Sequence, residues 1–395
     1  MKYPLAVSTW GNEEAEAITK VVESKKLSMG DRVKQFEHEF AEYHNVKYAV
    51  MANSGSSANL LGAEAFRYCK DIDAGQNDEI IVPTIGWSTT YFPFHQAGFQ
   101  LSFVDVDKDL NIDPDKVRQR INRRTRAICA VNVMGNPCDL SELQKICEEN
   151  PRIHLIEDNC EGLGSYPRNK NFLSGTFGLY GTFSFFFSHH IQTIEGGMLI
   201  TNNKALYETA LVLRAHGWIR DLPADNTIYP KTGNEFEESW KFVLPGYNLR
   251  PSEINGALGS CQLSKLDGFL EQRRKNARVY HELFKDEDYC KIIRPAIGSS
   301  WFSFPFILTG DLKGKRAEVM DVFAQYNIDT RPIVSGNFIN NPVISKLNCT
   351  YKQEFTMAEE IDSDGFVVGN SHVNLELELS YLKDIFEKAR RAVNE

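Results

Sequence analysis

A chain of 395 residues, 42% apolar and 25% charged, is long enough for one large domain and a smaller one, and too apolar for global disorder. Its formal charge of −9, with no Lys/Arg run, excludes the electrostatic footprint of a nucleic-acid or anionic-membrane binder. No stretch approaches the roughly 20 consecutive apolar residues of a membrane span, and the opening Met-Lys-Tyr-Pro-Leu-Ala lacks a signal-peptide core, so the expected compartment is the cytoplasm.

In chain order, the segment to about Asn45 carries two helical stretches expected to pack on the other domain or on a partner. From Lys47 to about Asn202, short apolar runs alternate with amphipathic ones. The runs are Lys47–Met51, Glu79–Val82, Leu101–Val104, Ala127–Val133, His154–Glu157, Thr182–Phe187 and Met198–Thr201. Bounded by Gly, Pro, Asn and Asp, they predict buried strands of a mostly parallel sheet with crossover helices. After Pro251 a long helical stretch, Ser252 to about Phe284, is followed by strand-like Trp301–Leu308 and Ile328–Pro332, with further helices over Arg316–Tyr326 and Glu378–Val393. The expected division is an N-terminal arm and large α/β domain over 1–250, and a smaller α+β domain over 251–395. The eight cysteines show no C-x-x-C pair or Cys/His spacing, so reduced core thiols are expected and no metal or iron–sulfur centre.

Three local signals carry chemistry. Ser54-Gly55-Ser56-Ser57 opens a helix, where free N–H groups and the helix dipole suit a phosphate and small side chains let it approach. Glu157-Asp158-Asn159-Cys160-Glu161 directly follows an apolar run, which places carboxylates at the C-terminal edge of a parallel sheet, where ligands bind. A carboxylate there can hold a pyridine nitrogen protonated and make the ring an electron sink. The third signal runs from Gly181 through Ser188-His189-His190 to Glu195-Gly196-Gly197-Met198.

With this last motif the chain resembles the DegT/DnrJ/EryC1/StrS family of vitamin B6-dependent nucleotide-sugar enzymes, in which an S-F-x-x-x-K loop precedes E-G-G-M. Aligning Glu195-Gly196-Gly197 puts His189 in the lysine slot. Ser8-Thr9-Trp10, Ser28-Met29-Gly30, Trp87-Ser88-Thr89-Thr90, Arg214-Ala215-His216-Gly217-Trp218, Phe242–Asn248 and Arg331-Pro332-Ile333-Val334 extend the resemblance over essentially the whole chain. It implies a fold-type I α/β architecture and a homodimer binding pyridoxal 5'-phosphate (PLP) or pyridoxamine 5'-phosphate (PMP). It places Gly55 and Ser56 on the phosphate, Trp87 on the pyridine face, Asp158 on the ring nitrogen, Glu161 and Ser184 beside the cofactor, and Asn248 at the neighbouring subunit's cofactor. Lys25, Lys26, Leu27, Ser28, His216, Arg220, Arg250 and Asp329 are implied on the substrate side, the arginines suited to a diphosphate.

An imidazole cannot make the stable Schiff base of a lysine amine, so the resemblance implies non-covalent cofactor and an aminated resting form. His189 then serves as the base that accepts and returns a proton near neutrality. The implied reaction removes the 3-hydroxyl of a GDP-4-keto-6-deoxy sugar, GDP-4-keto-6-deoxy-D-mannose, toward a 3,6-dideoxyhexose of the colitose type. Ammonia is released, and glutamate regenerates PMP without an external reductant. Asp329 stands where such dehydratases carry glutamate, and Lys26-Leu27-Ser28 differs from its counterpart, which leaves another 4-keto nucleotide sugar open. A non-catalytic cofactor-binding paralogue is the reading from another class.

Overall fold

The structure is a computed structural model that describes residues 1–167, 172–293, 297–351 and 354–394. Seven strands arise in the predicted order: β1 (Tyr48–Ala52), β2 (Glu79–Pro83), β3 (Gln100–Val104), β4 (Thr125–Val131), β5 (His154–Asp158), β6 (Tyr180–Ser184) and β7 (Gly197–Thr201). The C-terminal part supplies β8 (Cys290–Ile292), β9 (Ser303–Leu308), β10 (Thr330–Arg331), β11 (Cys349–Thr350) and β12 (Gly365–Gly369). Among the described residues they form two sheets, ordered β1-β7-β6-β5-β4-β2-β3-β11 and β10-β12-β9-β8. In the large sheet only β7 runs antiparallel to its neighbours, and the small sheet is antiparallel throughout. The α/β expectation therefore holds.

Burial explains the strand pattern. β2, β4, β6 and β7 are buried along their whole length, as a sheet covered by helices on both faces requires. The small sheet packs Phe304, Phe306 and Phe366 against Tyr280 and Phe284 from one helix, Phe323 from a second and Phe386 from a third. That aromatic core is separate from the large-sheet core around Val82, Phe103 and Cys129.

Several expectations shift. The strand expected over Thr182–Phe187 covers Tyr180–Ser184 instead, because the chain turns out of the sheet after Ser184 and leaves Phe186 and Phe187 exposed. The strand expected over Ala127–Val133 ends at Val131, where Met134 takes a left-handed backbone. The one helix expected from Ser252 is two, Glu253–Leu263 and Leu266–Phe284, broken at Ser264-Lys265. At this break Lys265 pairs with buried Glu14 at 2.8 Å. Only Thr330 and Arg331 of the strand-like Ile328–Pro332 join the small sheet, since Pro332 has no N–H for a ladder.

The N-terminal helices Asn12–Ser24 and Asp31–His44 pack on Glu253–Leu263, within the chain. The Glu253 carboxylate accepts the N–H groups of Gly30, Arg32 and Val33 at 2.8, 2.9 and 3.1 Å, satisfying the otherwise orphaned first turn of Asp31–His44. The two helix backbones touch at Gly256, where an added Cβ would lie 2.6 Å from backbone atoms of Arg32 and Val33. Backbone cannot yield as a flexible side chain can. Gly256→Ala should therefore destabilise by about 1–3 kcal/mol despite the helix preference for alanine, read as a fall of several degrees in apparent Tm by scanning calorimetry.

Candidate active site

Because β1, β2, β4, β5 and β6 all point the same way, the loops leaving their C-terminal ends meet along one edge of the large sheet. Ser54 and Gly55 follow β1, Trp87 follows β2, Met134 follows β4, Asp158 ends β5, and Ser184 ends β6. Topology thus gathers segments up to 130 residues apart in sequence.

Ser54 caps the helix Gly55–Tyr68, its Oγ accepting the Ser57 N–H at 3.0 Å. The N–H groups of Gly55 and Ser56 are left for an anion. The Ser56 hydroxyl lies 2.9 Å from Thr89 Oγ1, in the first turn of the helix Ser88–Gln96, so two helix N-termini converge here. A Cβ on Gly55 would come within 2.4 Å of Ser184 Cβ, so only glycine admits the cradle this close to β6. The Trp87 indole stands 58% exposed at the rim, its face open.

Asp158 is buried, and its Oδ2 accepts from Thr90 Oγ1 at 2.6 Å and Asn59 Nδ2 at 2.9 Å, while Oδ1 accepts the Cys160 N–H at 3.2 Å. Its neighbour Glu157, facing the opposite side of the strand, is consumed by the N–H groups of Gly175, Phe177 and Gly178 at 2.6–2.9 Å, a structural role. Glu161 accepts the Met134 N–H at 2.8 Å. Burial pushes its carboxyl up to about 7, against that hydrogen bond and the Arg331 charge.

The 185–196 loop between β6 and β7 contains no lysine. The His189 ring packs edge-on against Phe302 at 5.2 Å, and its Nδ1 is buried with no hydrogen-bond partner among the described residues. Burial, reinforced by the charges of Arg331 and Arg273, pushes the imidazole down to about 3, so it is neutral across the physiological range. His190 is fully buried and its Nε2 lies 3.1 Å from the Ser300 carbonyl, a hydrogen bond that ties the loop to the segment leading into β9. Of the two histidines, His189 is the partly exposed one.

The substrate-side candidates form a second group. Lys25 ends the helix Asn12–Ser24 in a left-handed conformation, and exposed Lys26 and Leu27 lead to Ser28, which bridges Ser252 beside Arg250. Arg220 lies 3.9 Å over the Trp218 ring, with Arg250 5.5 Å from the same ring, and His216 meets Trp218 at 5.0 Å. Asn248 Oδ1 accepts from Arg250 Nε at 3.0 Å, within this group. A backbone bond from Asn53 N to Leu249 O, 2.9 Å, joins the second group to the end of β1. Asp329 stands apart at the small sheet, 3.7 Å from Lys2, while Arg331, two residues on, bears on His189 and Glu161. Sequence reasoning gave no role to Arg331, Asn59, Thr89, Thr90, Thr182 or Phe302. Of these, Asn59 had a usable signal in its position one helical turn after Gly55.

Residues 8–381 match the DegT/DnrJ/EryC1/StrS aminotransferase family. The chain belongs to this family. It is 47% identical over 391 residues to the GDP-4-keto-6-deoxy-D-mannose 3-dehydratase of Yersinia pseudotuberculosis, covering 98% of this chain and 99% of the relative. The solved Escherichia coli GDP-4-keto-6-deoxy-D-mannose-3-dehydratase with bound hydrated PLP superposes with a TM-score of 0.94 at 44% identity, covering 98% and 99% of the two chains. A structure of GDP-4-keto-6-deoxymannose-3-dehydratase with a trapped PLP-glutamate geminal diamine gives the same score and identity, covering 97% and 100%. The fold is thus the PLP-aminotransferase fold. No helix among the described residues is long and apolar enough to cross a membrane.

Two predictions follow from the loop and its surroundings. Ile194 takes φ +72° and is held there by Asn255 Nδ2, which donates to the carbonyls of Thr193 and Glu195 at 2.7 and 2.9 Å. Its side chain is half exposed, so Ile194→Gly should stabilise by up to about 1 kcal/mol, raising the apparent Tm. Burial also depresses His44, to about 4, and His190, alongside His189. Below about pH 6.5 the unfolded chain binds protons at these sites that the folded chain refuses, so they withdraw stability as pH falls. Glu161 acts oppositely, keeping its proton in the fold up to about 7 and withdrawing stability as pH rises from about 4.5. His44→Leu should therefore flatten the acid side of the stability curve by up to about 1.4 kcal/mol per pH unit, measured by urea unfolding between pH 5 and 6.5.

Proposed function

We propose that this chain is a PLP/PMP-dependent 3-dehydratase that removes the 3-hydroxyl of GDP-4-keto-6-deoxy-D-mannose, with glutamate regenerating PMP and ammonia released. The observation that carries it is His189: a neutral imidazole with an unpartnered buried nitrogen, in a lysine-free loop that leaves β6 at Ser184, the residue against which the Gly55 cradle packs. The cradle fits a phosphopyridine. Gly55 and Ser56 receive the phosphate, Trp87 covers the ring face, Asp158 meets the ring nitrogen, and Ser184 and Glu161 flank the ring. Bound there, the cofactor supplies an electron sink next to the condensed sugar.

The residues do the rest. His189 takes a proton from the carbon attached to the pyridine ring and returns one, and its low basicity when buried lets it shed the proton again. With no amine at this position to displace the sugar, the nitrogen leaves as ammonia by hydrolysis. The overall balance closes without a metal or reductase: glutamate is oxidised to 2-oxoglutarate and ammonia, and its two electrons reduce C3 of the sugar. Arg220 and Arg250 suit the diphosphate, with Lys25–Ser28 and His216 alongside. Exposed Trp87, Phe186 and Phe187 around an open site support completion by a second copy, and eight free thiols support a cytoplasmic enzyme. Asp329, one methylene shorter than the glutamate such dehydratases carry at this position, favours one further reading, the same chemistry on another 4-keto nucleotide sugar.

The test supplies purified protein with PLP, glutamate and the GDP-4-keto sugar and follows ammonia, 2-oxoglutarate and the sugar product together. Equal ammonia and 3-deoxy ketone are expected, with turnover reduced about 10²–10⁴-fold in His189→Asn. An amino sugar from the wild type would overturn the dehydratase reading. Glutamate turnover without sugar turnover would move the substrate to another nucleotide sugar.

A further inference from the structure

The carboxylate of Asp158 does not orient itself. Its Oδ2 is occupied by two side-chain donors, Thr90 Oγ1 at 2.6 Å from the helix Ser88–Gln96 and Asn59 Nδ2 at 2.9 Å from the helix Gly55–Tyr68. The Asn59 amide is itself fixed: its Oδ1 accepts the hydroxyl of Thr182, on β6, at 2.5 Å. Reversing the amide would turn Oδ1 toward the carboxylate, oxygen against oxygen, so this direction is the one the pair of neighbours selects. Oδ1 of Asp158 keeps only the Cys160 N–H, at 3.2 Å, and so retains acceptor capacity.

We propose that Asn59 is a positioning residue: held by Thr182, it anchors Oδ2 of Asp158 so that Oδ1 stays free and aimed at the nitrogen of a bound pyridine ring. The inference rests on the reading of the site given above and deepens it. Asn59 lies one turn beyond Gly55 on the same helix, so one rigid element sets both ends of the ligand, its phosphate through the first turn and its ring nitrogen through Asn59 and Asp158. The spacing between phosphate and ring nitrogen is thereby built into a single helix and does not depend on how two loops happen to sit.

The test compares wild type with Asn59→Leu, Thr182→Val and Asp158→Asn, each loaded with PLP labelled with ¹⁵N in the ring. The readouts are the PLP dissociation constant, the ring ¹⁵N chemical shift, and kcat separately from KM for the nucleotide sugar. Asn59→Leu should weaken PLP about 10-fold, as loss of a hydrogen bond to a charged group does. It should also shift the ¹⁵N signal from pyridinium toward free pyridine and lower kcat with KM within about two-fold. Thr182→Val, which removes one hydroxyl and keeps the shape, should move the same signals less, and it decides the matter should Asn59→Leu fail to fold. Wild-type ¹⁵N shift and PLP affinity in both variants would overturn the proposal. If those two variants are silent while Asp158→Asn loses the pyridinium signal, the proposal alone falls. If Asp158→Asn also keeps the wild-type signal, the assignment of Asp158 to the ring falls with it.

Discussion

The site depends on a backbone contact that tolerates no side chain. Gly55, at the start of the cradle helix, touches Ser184 at the end of β6, and Gly197, at the start of β7, touches Ser54, where an added Cβ would lie 2.3 Å from the Ser54 carbonyl oxygen. These two approaches pull the first turn of a helix onto the two strands that carry the His189 loop. Phosphate cradle, loop base and loop return are consequently one packed unit. The antiparallel insertion of β7 between β1 and β6 makes this possible, since it lets the chain leave the sheet edge at Ser184, run through His189 and re-enter beside the strand that leads to the cradle.

The small sheet reaches the same place through residues 299–302. Ser300 N and Phe302 N donate to Gly135 O and Met134 O at 2.9 Å each, Ser300 O receives His190, and the Phe302 ring walls His189. Behind this segment sits Arg273, buried, its guanidinium donating to the carbonyls of Trp301, Phe302 and Asn370 at 3.0–3.3 Å, with no carboxylate ion pair among the described residues. A buried cation answered only by dipoles is costly in stability. What it provides is a rigid segment and a positive field directed at both histidines, which is one reason their protons are disfavoured.

Much of this was legible in the sequence, for definable reasons. Strands such as Glu79–Pro83 and His154–Asp158 are short apolar runs buried on both faces, which periodicity detects, and their common direction places Gly55, Trp87, Asp158 and Ser184 at one edge. His189 stood out because a motif position that calls for an amine holds an imidazole. The break at Ser264-Lys265, the exit of β6 before Phe186 and the short β11 were not legible. Each is decided by a distant partner: Glu14 for Lys265, the Gly196 carbonyl for Phe185, and β3 for Cys349. The hydrogen-bonding sets around Asp158 and Ser300 were hidden for the same reason, since the bonded pairs, Cys160 with Asp158 aside, lie from 68 to 165 residues apart along the chain and meet only through the sheet topology.

The environment of His189 also bears on why the proposed chemistry turns on one side chain. Burial beside Phe302 with Arg331 and Arg273 nearby lowers the proton affinity of any nitrogen base placed there, imidazole or amine alike. That is the field a Schiff-base lysine needs, because only a neutral amine attacks a carbonyl. The framework therefore does not itself choose between transamination and dehydration; it supplies a site that keeps a nitrogen unprotonated. In the proposed reaction histidine uses the same field for proton transfer while lacking a nitrogen able to form a stable covalent link. The division between the two reactions is thereby reduced to whether the base at residue 189 can displace the sugar's nitrogen or can only move a proton.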